Sequence, residues 1–135
     1  MPLLAWNDSY AVGVAEIDEQ HKRLFDMINR AEAAAEGQGD AGVLSELIMD
    51  LNAYARSHFA LEGRLMRDHD YPDSDAHLEQ HAEFAKRTMP FQDSGLDNDA
   101  LDPAGIFQYL ADWLKHHILE TDMELGRFLN EKGVD

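Results

Sequence analysis

The amino-acid sequence predicts an all-α protein: an antiparallel up-down-up-down four-helix bundle with a non-helical N-terminal arm. Four segments repeat apolar residues at the three- and four-residue spacing that lines one face of an α-helix. Short polar or glycine- and proline-containing stretches separate them, and short links favour antiparallel neighbours. A chain of 135 residues is long enough for one core, so a single domain over residues 1–135 is predicted.

The N-terminal arm is predicted to end near Ile17, where the first helix begins. Asp18 is the predicted N-cap of this helix, and Gly37 is its stop signal. Asp40 is then expected to open a second helix, which the sequence DHDYPDS ends. The apolar face of the second helix carries Leu44, Leu47, Ile48, Leu51, Tyr54, Ala55, His58, Glu62, Leu65 and Met66.

Pro90 marks the predicted end of the third helix. This helix is expected to begin at Asp73 or Ser74 and to run to Met89, since proline lacks the amide hydrogen that an inner helical residue donates. The polar segment QDSGLDNDALD that follows is a predicted loop.

Asp102 followed by Pro103 predicts the start of the fourth helix, because proline favours the first turn after an N-cap residue. The helix is expected to continue to about Asn130. Its apolar face carries Ile106, Phe107, Leu110, Trp113, Leu114, His117, Leu125 and Leu129.

Composition and charge exclude several classes of function. Acidic residues number 27 against 11 basic ones, giving a formal net charge of −16. Such a surface repels phosphate groups, so neither nucleic acid nor a membrane surface is an expected partner. No segment approaches the roughly 20 apolar residues of a membrane span, so no stable membrane insertion is expected. The absence of cysteine excludes disulfides and thiolate metal sites, and it fits a cytoplasmic protein.

Several polar side chains lie on, or beside, the apolar faces of these helices. A buried imidazole or carboxylate is costly unless another group satisfies it. A single histidine in such a position is more often hydrogen-bonded or half-exposed than a ligand, but six polar residues together favour a metal site. They are His21, His58, Glu62, His77, His81 and His117.

The spacing of these residues supports metal binding. His58 and Glu62 are four residues apart, as are His77 and His81, so each pair stacks on one helix face with an axial rise of about 6 Å. Two side chains placed in this way can bind one metal ion or two neighbouring ions. An HxxxE and an HxxxH on successive helices, with single histidines on the outer two, form a specific pattern.

The segment HHILETD raises a question of orientation. Adjacent helical residues point about 100° apart, so only one of His116 and His117 can face inward. Asp122 follows His117 by five residues and lies about 140° around an ideal helix, so spacing alone favours Glu120 or Thr121 as the partner. A local π-type turn, or a cluster wide enough to be approached from both sides, would bring Asp122 in.

The chain resembles the bacterial hemerythrins, single-domain relatives of the non-haem di-iron oxygen carriers. The resemblance rests on AWNDSYAVGVAEIDEQHKRLFDMIN, HFALEGRLM, YPDSDAHLEQHAEF and WLKHHILETD. It implies a metal site in which three histidines bind one iron, two bind the other, and two carboxylates bridge the ions. In that order, the implied ligands are His77, His81 and His117, then His21 and His58, then Glu62 and Asp122.

The resemblance also implies that His117 is the ligand and that His116 is its outward neighbour. One departure is Gly63, because many relatives have a second glutamate at this position. This change is expected to alter the surroundings of the bridge and to leave the number of ligands unchanged.

The implied cofactor is two iron ions per chain, bridged by an oxo or hydroxo group. Five imidazoles, two bridging carboxylates and this bridge would fill eleven of the twelve positions of two octahedral ions, leaving one open on the iron of His21 and His58. Seven ligands are too many for one tetrahedral zinc. Mixed imidazole and carboxylate donors suit iron, with manganese or a zinc pair as alternatives. By resemblance the oxygen pocket is lined by four residues that bundle packing also explains: Phe59, Trp113, Leu114 and Ile118.

The expected function is reversible dioxygen binding, for oxygen storage or for delivery to an oxygen-consuming enzyme, without enzymatic activity. Two other functions stay open. The same site can serve an oxygen or redox sensor, although sensors of this kind usually carry a linked signalling domain for which 135 residues leave no room. It can also serve an enzyme that reduces peroxide or nitric oxide.

Overall fold

The computed structural model describes residues 4–36, 41–94 and 103–135, and within these ranges it contains helices and no strand. A 3-10 turn at Asp8–Tyr10 precedes helices α1 (Ala15–Glu36), α2 (Ala41–Asp68) and α3 (Ser74–Ser94). Helix α4 (Pro103–His116), a π-helical segment (His117–Asp122) and α5 (Met123–Glu131) follow one another without a break and form the fourth rod. The predicted four-helix bundle is confirmed.

The four rods pack through the apolar faces that the sequence predicted. Helix α1 contacts α2 and α4, and α2 contacts α3. Leu24, Ile28, Leu51, Phe107 and Leu110 are each at most 2% exposed, so the faces meet in a continuous core. The side chains of Leu44 and Ile106 lie outside the described part of the structure. None of the described helices is long and apolar enough to cross a membrane.

The N-terminal arm is held against α1 by aromatic rings and an asparagine. The rings of Trp6, Tyr10 and Phe25 lie with their centroids 5.1 to 5.7 Å apart. The Asn29 side chain accepts a hydrogen bond from the Leu4 amide (2.9 Å) and donates one to the Leu4 carbonyl (2.7 Å). The arm is therefore part of the packed structure.

The arm also contacts the end of the fourth rod. Asn130 donates a hydrogen bond to the carbonyl of Gly13 (2.9 Å), which has a φ of 87°. At Gly126, an added Cβ would overlap the backbone oxygen of Val12 and would lie 2.9 Å from the Val12 Cβ. Glycine at this position therefore allows the arm backbone to rest directly on α5.

Two predicted features of the first helix were different in the structure. Helix α1 begins at Ala15, earlier than the predicted boundary near Ile17. Asp18 is consequently not the N-cap but a residue of the first turn, and its carboxylate accepts a hydrogen bond from the Val12 amide (2.8 Å). A negative charge is favourable there because the amide groups of the first turn carry a partial positive charge. Gly37 and Asp40 lie outside the described residues.

The predicted end of the third helix at Pro90 was wrong, because α3 continues through Pro90 to Ser94. A proline inside a helix removes one backbone hydrogen bond, but the residues around it keep theirs, so the chain can continue in helical conformation. Part of the predicted loop is therefore helical, and residues 95–102, which include Asp102, lie outside the described residues. Pro103 is the first residue of α4, as predicted.

We expect Gly126→Ala to lower the free energy of unfolding by about 1–3 kcal/mol, because the new methyl group forces α5 and the arm apart. Gly63→Ala is the matched control, since an added Cβ there would lie 3.9 Å from Leu78 Cδ2, an ordinary contact. It should stabilise the chain by about 0.5–1 kcal/mol, because glycine is unfavourable inside a helix. Urea denaturation measures both, and equal effects in the two variants would contradict this account of Gly126.

Candidate metal centre

Seven ionisable side chains from all four rods converge in the interior of the bundle. Each is between 0 and 5% exposed. Their ligand atoms form two overlapping sets in which all atoms lie within 4.8 Å of one another. The three-histidine group consists of His77, His81 and His117, the two-histidine group consists of His21 and His58, and both sets include Glu62 and Asp122.

Glu62 presents a different oxygen to each histidine group. Its Oε1 lies 3.0 Å from Nε2 of both His77 and His81. Its Oε2 lies 3.0 Å from Nε2 of His58 and 3.5 Å from Nε2 of His21. The carboxylate therefore spans the gap between the two groups.

Asp122 spans the same gap from the opposite rod. Its Oδ1 lies 3.0 Å from Nε2 of His77 and 3.1 Å from Nε2 of His117. Its Oδ2 lies 3.0 Å from Nε2 of His21. Two carboxylates arranged in this way are suited to bridge two cations, one beside each histidine group.

The π-helical segment explains how Asp122 reaches the cluster. In a π-helix a backbone hydrogen bond joins residues five apart instead of four, as in the bond from the Met123 amide to the Ile118 carbonyl. The extra residue turns Asp122 back toward the face of His117, from which an ideal helix would turn it away. Spacing alone favoured Glu120 or Thr121 as the partner of His117. Glu120 is exposed and lies outside the cluster, and the structure instead adopts the π-type turn that brings Asp122 in.

His116 and His117 differ in burial, so one of them faces the interior and the other faces the surface. His117 is 3% exposed, whereas His116 is exposed. The Nδ1–H of His116 donates a hydrogen bond to the carbonyl of Asp112 in its own helix (2.8 Å). The structure thus brings all seven residues that the resemblance implied as ligands into one cluster and leaves His116 outside it.

The buried donor set fits metal ions. Nε2 of His21, Nε2 of His117 and both carboxylate oxygens of Asp122 are buried without a hydrogen-bond partner among the described residues. Unpaired buried polar atoms are costly, and Nε2 and carboxylate oxygens are ligand atoms that divalent metals take. Cations between the two groups would satisfy these atoms and neutralise both carboxylates.

A family model described as "Hemerythrin HHE cation binding domain" matches residues 12–129. The chain belongs to the hemerythrin family. It is 37% identical to a bacteriohemerythrin of Pseudomonas aeruginosa (strain LESB58) over 126 residues, which cover 90% of this chain and 78% of the relative. A bacteriohemerythrin of Stenotrophomonas maltophilia (strain R551-3) is 35% identical over the same coverage.

The fold matches that of solved hemerythrins. A crystal structure of wild-type hemerythrin superposes with a TM-score of 0.87 at 26% identity, covering 94% of this chain and 98% of the other. The helices that carry the buried cluster are therefore those of the hemerythrin bundle.

Two glutamines contact the hemerythrin cluster from outside, and the sequence analysis did not single them out. Gln20 contacts His58, and Gln80 contacts His117, each through an Oε1 to Nδ1 distance of 2.7 Å. Both glutamines immediately precede a histidine of the cluster. The tripeptide EQH occurs at residues 19–21 and 79–81, and this repetition is the signal that would have indicated them.

The residues predicted to line an oxygen pocket are buried or half-buried around the cluster. The Phe59 ring stacks on His81, with centroids 3.9 Å apart, and the Trp113 ring stacks on His117 at 4.5 Å. Both stacks lie on the three-histidine group. Leu114 and Ile118 are 3% and 0% exposed.

The two carboxylates raise the proton affinity of nearby histidines. Burial lowers the pKa of His21, but the close contacts of its Nε2 with the negatively charged carboxylates of Asp122 and Glu62 outweigh burial and raise the pKa to about 9. The pKa of His77 is raised to about 9 for the same reasons. Burial raises the pKa of Glu62, but the neighbouring imidazoles, chiefly His58, lower it well below its ordinary value.

We expect the chelator-treated protein to lose stability as pH rises from 6.5 to above 9. The pKa values of His21 and His77 rise from 6.5 to about 9 on folding. Such groups contribute stability that is fully present below pH 6.5 and lost as pH passes the folded value. Denaturant titrations across this range measure the effect, and His116→Ala should show the same slope because His116 is exposed.

Metal should reverse this dependence. Ligand histidines must release their protons to bind a cation, so the extra stability gained on metal loading is expected to grow with pH. A metal-free protein whose unfolding free energy increases between pH 6.5 and 9 would contradict the electrostatic account.

Proposed function

We propose that the chain binds dioxygen reversibly at a non-haem di-iron centre. The observation that supports this proposal best is the arrangement of the two carboxylates, each with one oxygen toward the three-histidine group and one toward the two-histidine group. Membership of the hemerythrin family supports iron as the metal.

The proposed ligands divide as the histidine groups do. His77, His81 and His117 would hold one iron, and His21 and His58 would hold the other. Glu62 and Asp122 would bridge them, together with an oxo or hydroxo group. His21 and His58 would supply one histidine ligand fewer than the other group, and we propose that dioxygen binds on their side of the centre.

Two ferrous ions in this site would supply two electrons to dioxygen when it binds and would take them back when it is released. The protein side chains would keep water and anions away from the irons, because an unpaired polar group entering an apolar pocket costs a few kcal/mol. Leu114 and Ile118 are buried apolar residues that suit this task. Phe59 and Trp113, which stack on the three-histidine group, would line the proposed oxygen pocket from that side. Few anionic ligands favour holding oxygen over activating it, since the di-iron carboxylate proteins of the ferritin-like class use four glutamates.

We propose that oxygen is stored or is delivered to an oxygen-consuming enzyme in the cytoplasm. The curated relatives described above are named bacteriohemerythrins, and the chain contains no cysteine, which suits a reducing compartment.

The purified chain is expected to contain about two iron ions, the number that the two histidine groups would hold. Its oxygenated absorbance should disappear under vacuum and return on re-aeration. Metal analysis and absorbance spectroscopy measure both. A single zinc per chain would contradict the di-iron site, and an absorbance that decays once without returning would favour a peroxide- or nitric oxide-reducing enzyme.

The neighbouring histidines give a matched pair of variants. His117→Ala should lower the iron content to about one per chain or less and remove the oxygenated spectrum, because it deletes a proposed ligand and leaves Asp122 partly unpaired. His116→Ala should leave both unchanged, since His116 is exposed and bonds the Asp112 carbonyl of its own helix. The opposite pattern would mean that the ligand had been assigned to the wrong histidine.

A further inference from the structure

Gln20 and Gln80 hold the two histidine groups in the same way. The Oε1 of Gln20 lies 2.7 Å from Nδ1 of His58, and the Oε1 of Gln80 lies 2.7 Å from Nδ1 of His117. We propose that these glutamines are positioning residues, each fixing the orientation and tautomer of one histidine per group, and that their neutral amides keep the reduction potential of the centre high. This inference rests on the proposed di-iron function.

The tautomer follows from the two sides of each ring. Nε2 of His58 faces Glu62 at 3.0 Å, and Nε2 of His117 faces Asp122 at 3.1 Å. A metal ion takes the lone pair of Nε2, so the proton of a neutral ring must sit on Nδ1 and needs an acceptor. An amide oxygen can only accept, and each glutamine supplies one at hydrogen-bond distance.

Each bond also ties two rods together. Gln20 on α1 binds a ring from α2, and Gln80 on α3 binds a ring from the π-helical segment. Gln80 accepts a second hydrogen bond from the Thr121 hydroxyl at 2.8 Å. The segment that turns Asp122 inward is therefore anchored to α3 at two points through one amide oxygen.

These two bonds differ from the surroundings of the other histidines in the cluster. Nδ1 of His21, His77 and His81 is buried without a hydrogen-bond partner in the part of the chain that the structure describes. Control of ring position and basicity through Nδ1 is thus concentrated in one histidine of each group. The acceptor in both cases is uncharged.

The charge of the acceptor matters for the iron. Between the ferric and ferrous states each iron gains one electron, while the Nδ1 proton stays on the ring. A carboxylate acceptor would draw this proton more strongly and make the imidazole a more basic ligand, which favours the ferric ion. A neutral amide orients the ring without that effect, which favours the ferrous state that oxygen binding requires.

The test compares Gln20→Glu and Gln80→Glu with Gln108→Glu in the iron-loaded protein. Gln108 is exposed on α4 and bonds Asp112, so its replacement by glutamate adds the same charge away from the cluster. Gln80 lines an open crevice of about 500 Å³ between α3 and the fourth rod, so its replacement has access to solvent. Spectroelectrochemistry should show at least a tenfold greater preference for ferric iron in the first two variants, about 59 mV for a one-electron couple, and no change in the control.

A second measurement separates orientation from charge. Gln80→Ala removes the acceptor and should lower the affinity for Co²⁺ by about 10–100-fold in competition with a chelator, whereas Gln80→Glu should restore it. The inference would be overturned if both glutamate variants had the reduction potential of the wild type, or if Gln80→Ala kept full Co²⁺ affinity. The proposed function would still stand in that case, provided that the wild type binds iron and oxygen. A wild-type chain that takes up no iron would overturn the proposed function as well.

Discussion

The attraction between two buried carboxylates and five buried imidazoles is the interaction on which the rest of this structure depends. A carboxylate in the interior of a protein is strongly unfavourable unless positive charge or hydrogen bonds surround it. Glu62 and Asp122 meet this condition by facing Nε2 atoms from every rod of the bundle. A bundle with only apolar stripes could slide or rotate at small cost, whereas this one must keep each ring within about 3 Å of a particular oxygen.

The layers outside the cluster serve this requirement. Stacked rings of Phe59 and Trp113 hold the faces of the His81 and His117 imidazoles, and the glutamine amides hold the edges of the His58 and His117 imidazoles. His117 is held in both ways, by Trp113 on its face and by Gln80 at Nδ1. A site organised in this way keeps its geometry before a metal arrives, so less binding energy is lost in ordering the ligands.

Much of this arrangement could be predicted from the sequence, because helix periodicity fixes which residues share a face. The pairs at four-residue spacing, such as His58 with Glu62, needed no tertiary information. Asp122 did, since its position depends on a π turn whose stability comes from tertiary contacts such as the Thr121 hydrogen bond to Gln80. The prediction that α3 ends at Pro90 failed because the free-energy cost of a proline inside a helix is local and does not decide whether the helix continues. Gln20 and Gln80 were missed because their side-chain oxygens accept hydrogen bonds from histidines of other rods, and periodicity within one helix carries no information about such contacts.

The extra residue in the π-helical segment has a consequence beyond the cluster. Each residue of an α-helix advances the chain by about 100°, so a one-residue deletion between His117 and Asp122 would rotate all of α5 relative to the rods beside it. Gly126 would then no longer face Val12, and Asn130 would no longer meet Gly13. The rotation of α5 about its own axis is thus fixed both by the buried cluster and by the contacts of α5 with the N-terminal arm. Insertions and deletions in this segment are therefore constrained both by the cluster that the segment completes and by the contacts of α5 with the arm.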